Sequence, residues 1–135
     1  MIQHASGTFE VKLNPQKPDN QEAESANLGR MSIDKQFHGD LEATSKGEML
    51  SAITDVKGSA GYVAIERVSG ALQGRHGSFV LQHNGIMTRG APQLTVVVVP
   101  DSGTDQLAGL SGALTIRIEG GKHFYEFDYT LPETG

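Results

Sequence analysis

The chain has 135 residues and a formal net charge of −5, a balance that argues against a nucleic-acid-binding surface. It contains no cysteine, which excludes disulfides, thiolate chemistry and cysteine-based metal sites. Length predicts one domain over residues 1–135, and no apolar run approaches the roughly 18 residues of a membrane span. Because no signal peptide is visible, we expect a cytoplasmic protein with neither membrane nor nucleic-acid partners.

Alternating apolar residues predict three strands in the first part of the chain. Residues 8–13 place Phe9, Val11 and Leu13 on one face, and a polar loop follows over residues 14–25. Residues 28–37 and 41–53 form the next two strands, joined by a turn at 38–40. This pairing puts Lys35 on the buried face, where we expect its long stem to carry the ammonium group to the barrel rim.

Residues 61–87 predict a long central hairpin with a two-residue loop at Arg75-His76. Its more apolar face also carries Glu66 and His83, which become diagonal neighbours in this register. A buried carboxylate and a buried imidazole both need partners, and here each can satisfy the other. Three interpretations stay open: a structural polar pair, a one-residue slip that sends both groups to solvent, and a pair that faces a ligand.

The last third of the chain predicts three more strands. Residues 94–99 are continuously apolar, which predicts a strand covered on both faces, by the core on one side and by a partner subunit on the other. A glycine-rich corner follows at 100–112. Residues 113–119 and 122–131 form a hairpin around Gly120-Gly121, and its register aligns Leu114 with Phe127 and Glu119 with Lys122.

These eight strands, with short connections and no convincing helix, predict an all-β fold: an eight-stranded antiparallel closed barrel. A flattened β-sandwich is the alternative. A barrel of this size is either filled by its own side chains or holds one small ligand.

Sequence motifs for known chemistry are largely absent. No phosphate loop, dinucleotide fingerprint or nucleophile elbow occurs, and the segment from Asp101 fails the calcium-loop pattern. The histidines lack metal-ligand spacing, so we expect no metal and no cofactor, although folding would be able to assemble Glu66, His83 and His123 into a metal site. Six polar residues lie on predicted inward faces: Tyr62, Glu66, His83, His123, Tyr125 and Tyr129.

We assign Glu66 and His83 as candidate catalytic residues, since such a pair is able to act as general acid and base. Tyr62, His123, Tyr125 and Tyr129 are candidate ligand-binding residues that converge at one mouth of the barrel. The alternative for the tyrosines is a position at the barrel rim, with the ring buried and the hydroxyl exposed to solvent.

Several segments carry a family resemblance: GYVAIERVSG at 61–70, GSFVLQHNG at 77–85, VPDSGTDQLAGLSG at 99–112 and HFYEFDYTLP at 123–132. Over nearly its whole length the chain resembles a family of small bacterial proteins of unknown function whose barrel is similar to that of plant allene oxide cyclase. The corner is also similar to the glycine-rich hairpin of allene oxide cyclases and dirigent proteins. The resemblance implies a barrel and a homo-oligomer, a dimer or trimer. It transfers no catalytic residue, because nothing here matches the catalytic motif of allene oxide cyclase.

Two functional hypotheses follow. In the first, the barrel binds a small, largely apolar ligand and carries out cofactor-free isomerisation or cyclisation by acid–base chemistry. In the second, the barrel is packed solid, the protein is not an enzyme, and its outer strands form the interface of a homo-oligomer.

Overall fold

The computed structural model describes residues 2–17, 20, 22–23 and 26–132. Eight antiparallel strands follow one another around a closed barrel, each paired with its neighbours in sequence, and β1 closes the ring against β8. The strands are β1 (Gln3–Gln16), β2 (Leu28–Gly39), β3 (Leu41–Ile53), β4 (Ala60–Leu72), β5 (Arg75–Thr88), β6 (Ala91–Val98), β7 (Ser111–Glu119) and β8 (Lys122–Thr130). The predicted closed barrel is therefore confirmed, and the flattened sandwich is not what forms.

The last hairpin has the predicted register. Leu114 pairs with Phe127, Ile116 with Tyr125 and Glu119 with Lys122 around the Gly120-Gly121 turn. Both glycines have positive φ angles, 57° and 78°, which is the conformation that a two-residue turn of this kind requires. A double glycine specifies this register because no other nearby residue pair meets that requirement so easily.

The central hairpin turns at Gln73-Gly74, so the predicted Arg75-His76 loop is wrong. Leu72 pairs with Arg75, and Gln73 and Gly74 adopt φ angles of 46° and 86°. The first turn position is thus a glutamine with a positive φ angle. In the sequence, only the glycine that follows it indicates a turn at this point. The register shifts by an even number of residues, so each side chain keeps its predicted face.

β1 and β6 also differ from their predicted bounds. β1 starts at Gln3 because its first half pairs with β8, a long-range contact that local alternation does not reveal. It also extends to Gln16, into the predicted loop, of which residues 18–19, 21 and 24–25 lie outside the described part of the chain. β6 covers Ala91–Val98; its Val96 is buried, whereas Val97 faces outward and is exposed.

One end of the barrel is closed by the corner between β6 and β7, which contains a short 3₁₀ helix, α1 (Asp105–Leu107). Backbone N–H groups of β5 donate to this corner: Ser78 to the Thr104 hydroxyl and Val80 to the Ser102 hydroxyl. Leu107 and Leu110 from the corner are buried and join the core. We call this the closed end.

The opposite end, which we call the open end, has no such plug among the described residues. Here the inward-facing side chains of several strands remain exposed, from 41% for Leu94 to 66% for Ile53. No helix in the described ranges is long and apolar enough to cross a lipid bilayer.

Candidate functional site

Glu66 is the centre of a polar cluster inside the barrel. Its Oε1 accepts hydrogen bonds from Lys35 Nζ at 3.0 Å and from His83 Nε2 at 2.9 Å, and its Oε2 accepts one from the Ser45 hydroxyl at 2.8 Å. The carboxylate side chain is fully buried, and the side chains of Lys35 and His83 are only 7% and 4% exposed. We call these four residues the Glu66 cluster.

The predicted Glu66–His83 pair therefore forms despite the wrong turn. Glu66 lies opposite Leu81, and His83 lies opposite Ala64, so the two residues are diagonal neighbours in the observed register as well. In the predicted register His83 lies two residues before the residue opposite Glu66, which is Gly85. In the observed register it lies two residues after that residue, which is Leu81, so the pair stays diagonal. Both the predicted and the observed register keep the pair within reach of a hydrogen bond.

The protonation state of Glu66 follows from its surroundings. Burial raises the pKa of this carboxyl, but the hydrogen bond from His83 and the charge of Lys35 outweigh burial, and the pKa lies below its ordinary value. Glu66 is thus ionised, with three donors on its two oxygens. A carboxylate held in this way is a poor proton acceptor and serves to fix Lys35 and His83 in place.

Lys35 is a buried ion-pair partner, so the prediction that it reaches the barrel rim is wrong. Its Nζ lies 5.0 Å from the ring centroid of Phe9 and 5.8 Å from that of Phe37, in addition to the contact with Glu66. The ammonium group is stabilised by one carboxylate and two aromatic faces, which replace the water it has lost.

His83 keeps one ring nitrogen for other partners. Nε2 donates to the ionised Glu66, so a neutral imidazole has its lone pair on Nδ1. The positive charge of Lys35 balances the negative charge of Glu66. Nδ1 has no protein partner among the described residues, in which every fully buried side-chain nitrogen or oxygen has one. It follows that Nδ1 borders accessible space.

Tyr62 lies between the Glu66 cluster and the open end. It is directly opposite Gly85, where an added Cβ would lie 2.2 Å from the tyrosine ring, so the missing side chain gives the ring its place. Burial and, second, the charge of Glu66 raise the pKa of the Tyr62 hydroxyl. The hydroxyl thus stays protonated and is able to donate a hydrogen bond.

The other predicted ligand-binding residues do not converge with Tyr62. The Tyr125 hydroxyl accepts from Leu41 N at 2.8 Å and donates to His38 O at 3.0 Å, at the closed end. The Tyr129 hydroxyl bonds the side-chain oxygens of Gln3 and Gln73, also at the closed end. Both pKa values are raised by burial, that of Tyr125 to about 12. The single mouth predicted for all the tyrosines is therefore wrong.

His123 is half-buried and packs on Phe9, with the ring centroids 5.0 Å apart. It is thus engaged with an aromatic ring rather than with the Glu66 cluster. Within the described ranges no three side chains of the types that hold metals come together, so Glu66, His83 and His123 do not assemble as a metal site.

Sequence reasoning missed Lys35 and Ser45 as members of the cluster. The signal was present, because Lys35 lies directly opposite Ser45 in the β2–β3 register and its alternation already pointed inward. A lysine on a buried face requires a carboxylate, and Glu66 is an inward-facing carboxylate two strands away. Long side chains bridge this distance, which strand pairing alone does not predict.

A family model described as "Protein of unknown function (DUF3224)" matches residues 5–129. No curated protein matches the sequence. Among solved structures, the crystal structure of a protein with unknown function from the DUF3224 family of Shewanella oneidensis MR-1 is similar, with 54% sequence identity and a TM-score of 0.93. The match covers 99% of this chain and 100% of that chain.

Proposed function

We propose, from the premise that the chain belongs to the DUF3224 family of proteins of unknown function, that the barrel binds a small, largely apolar ligand through its open end. The observation that carries the proposal is the exposure of apolar side chains whose alternation places them inside the barrel. They are Leu13 of β1, Ile53 of β3, Met87 of β5, Leu94 of β6 and Ile118 of β7. Inward positions of a barrel are normally filled, and leaving them exposed costs about 25 cal/mol per Å² of apolar surface.

The polar residues beneath these side chains support the same proposal, and we call them the floor of the site: Tyr62, His83 and Glu66. An apolar concave surface with a few fixed polar groups is the usual form of a small-molecule site. On β4 and β5 the first polar groups inward from the open end are Tyr62, His83 and Glu66. A ligand that enters between the exposed apolar side chains meets a tyrosine hydroxyl and an imidazole nitrogen.

The chemistry that suits this floor is proton transfer without a cofactor, as an isomerisation or cyclisation requires. His83 takes or returns a proton at Nδ1, while Glu66 holds the Nε2–H and stabilises the imidazolium that forms. Tyr62 donates a hydrogen bond to an oxygen of the ligand. In this proposal the acid–base residue is His83, and Glu66 positions it.

A matched pair of neighbouring residues tests the binding site. Met87 faces inward and is 42% exposed, whereas the next residue, Thr88, faces outward and is exposed. A fluorescence titration with the neutral apolar probe N-phenyl-1-naphthylamine measures binding. Met87→Lys places a charge in the proposed site, and we expect it to weaken probe binding at least about tenfold, since a charge in an apolar site is costly.

The control is Thr88→Lys, which adds the same charge one residue away on the outer surface and is expected to bind the probe as the wild type does. Equal loss in both variants, or no saturable binding by the wild type, would contradict the proposal. Circular dichroism of both variants establishes that the barrel is retained.

A further inference from the structure

We infer that the ligand enters with a hydrogen-bond donor, a hydroxyl group, at its inner end, an inference that rests on the function proposed above. It follows from counting the polar atoms of the floor that are still available. Glu66 has accepted three hydrogen bonds, and Lys35 is held between a carboxylate and two aromatic rings. The polar atom of the cluster that lacks a partner and borders accessible space is Nδ1 of His83.

The tautomer decides what this atom recognises. Because the Nε2 proton points at the Glu66 carboxylate, Nδ1 carries a lone pair and accepts a hydrogen bond. An alcohol or phenol satisfies it, whereas an ether, an ester or an ionised carboxylate presents only acceptors and is disfavoured. A hydroxyl proton held against Nδ1 is also the proton that His83 removes in the proposed chemistry.

Three naphthalenes of nearly equal shape distinguish these classes: 2-naphthol, 2-methoxynaphthalene and 2-naphthoate. Each competes with N-phenyl-1-naphthylamine, and displacement gives its dissociation constant. We expect 2-naphthol to bind about tenfold more tightly than 2-methoxynaphthalene, the effect of about one neutral hydrogen bond, and 2-naphthoate to bind most weakly. His83→Phe keeps an aromatic ring without the acceptor and should make 2-naphthol and 2-methoxynaphthalene equal.

A measurement on the wild-type protein makes the test independent of whether His83→Phe folds. In ¹⁵N-histidine-labelled protein, the resonance of the unprotonated His83 nitrogen should move on addition of 2-naphthol and stay in place with 2-methoxynaphthalene. Tighter binding of 2-naphthoate than of 2-naphthol would overturn the inference and assign selectivity to the Lys35 charge. Equal binding of all three would overturn it while leaving the proposed function intact, whereas failure of the fluorescent probe to bind refutes the proposed function itself.

A second and independent observation concerns the outer surface, where exposed apolar side chains lie on four neighbouring strands. We call this the outer patch; it consists of Leu50 of β3, Val63 and Ile65 of β4, Ile86 of β5 and Val97 of β6. Leu50 lies directly opposite Val63, and Gln82 joins Ile65 to Val97. A groove of about 1030 Å³ crosses its β3–β4 side and is bounded by Ala23 and Leu28.

We infer that this face binds the same face of a second copy of the chain. Although the chain carries a net charge of −5, the outward positions of β4, β5 and β6 contain no aspartate or glutamate, and Glu48, next to Leu50 on β3, is paired with Arg30. Outward positions of β1 and β8, by contrast, carry Glu10, Glu126 and Asp128. Two acidic molecules therefore approach with least repulsion through the β4–β6 face.

The polar side chains of this face suit self-association in particular. Gln82, Asn84 and Gln93 are exposed amides, and an amide both donates and accepts, so it can bond its own copy across a two-fold axis. Four strands about 4.8 Å apart and about eight residues of about 3.3 Å each give a face of roughly 19 by 26 Å. This is about 500 Å² per partner, or about 1,000 Å² in total, which lies at the low end of the areas that specific interfaces bury.

Sedimentation equilibrium between about 1 and about 100 µM tests the interface, and we expect a dimer. Ile65→Glu places a carboxylate in the centre of the outer patch and should weaken the dimer about a hundredfold, as expected for a central apolar contact. Thr115→Glu adds the same charge on the outer side of β7 and should leave the dimer intact. A monomeric wild type, or dissociation by Thr115→Glu and not by Ile65→Glu, would overturn this inference.

Discussion

The two ends of the barrel interior have the same kind of sequence but different surroundings. At the closed end, inward-facing Phe79, Phe127 and Tyr129 are buried and stacked on one another, with ring centroids 5.9 and 5.2 Å apart. At the open end, inward-facing Ile53 and Ile118 are more than half exposed. Apolar alternation thus determines which way a side chain points, whereas the connections between strands determine whether that side chain is covered.

The Glu66 cluster marks the boundary between these two halves. On β4, Glu66 lies between the buried Val68 on the closed-end side and the half-buried Tyr62 on the open-end side. On β5, His83 lies between the buried Leu81 and the exposed Met87. The cluster is therefore where a fully packed core changes into an accessible one.

The largest loss of stability should come from Glu66→Gln, which changes the Glu66 cluster itself. The substitution removes the charge that pairs with buried Lys35, and we expect the free energy of unfolding to fall by about 3–5 kcal/mol in urea denaturation. Glu10→Gln, at an exposed carboxylate on the outer face, should change it by less than about 0.5 kcal/mol. If Glu66→Gln has the same urea midpoint as the wild type, the Glu66 cluster does not contribute to stability.

Low pH should reduce the stability that the Glu66 cluster provides. The pKa of Glu66 lies below its ordinary value of 4.5, so its contribution to stability is present above that pH and is lost as the pH falls through the lower, folded-state pKa. Urea midpoints of the wild type should therefore fall below about pH 4.5 more steeply than those of Glu66→Gln. Parallel curves for the two proteins would show that folding does not lower the pKa of Glu66.

Matched leucine truncations compare the two ends directly. Leu107 plugs the closed end and is 1% exposed, whereas Leu94 faces the open end and is 41% exposed. Leu107→Ala should lower the free energy of unfolding by about 2–5 kcal/mol because it leaves a cavity, and Leu94→Ala by less than about 1 kcal/mol. Equal losses in thermal or urea unfolding would mean that the open end is packed in solution.

A smaller effect is expected at the closed end from Tyr125→Phe. Loss of the hydroxyl leaves the buried Leu41 N–H without an acceptor, which should cost about 1–3 kcal/mol. The pKa of Tyr125 is raised from 10.0 to about 12, so its contribution is complete below pH 10 and is lost as the pH rises towards 12. The wild type should lose stability over that interval faster than Tyr125→Phe, as followed by circular dichroism.

The sequence predicted much of this fold because alternation and turn residues are local signals. Leu41–Ile53 has the predicted bounds, and the Gly120-Gly121 hairpin has the predicted register. Glu66 and His83 were found because a titratable residue on an apolar face is itself a signal. Lys35 and the split of the tyrosines between the two ends were missed, since they depend on the length of side chains across strands and on which end the corner covers.

The least paired junction of the barrel also has a dynamic consequence. β6 and β7 share a single bridge pair, Val97–Ala113, whereas β1 and β8 share a ladder from Gln3 to Phe9. In hydrogen-bonding terms the closed barrel is weakest between β6 and β7. Opening the ring there breaks the fewest backbone hydrogen bonds, so native-state hydrogen exchange should be fastest along this seam. The barrel therefore opens most easily between β6 and β7, while its other strand pairs stay hydrogen-bonded.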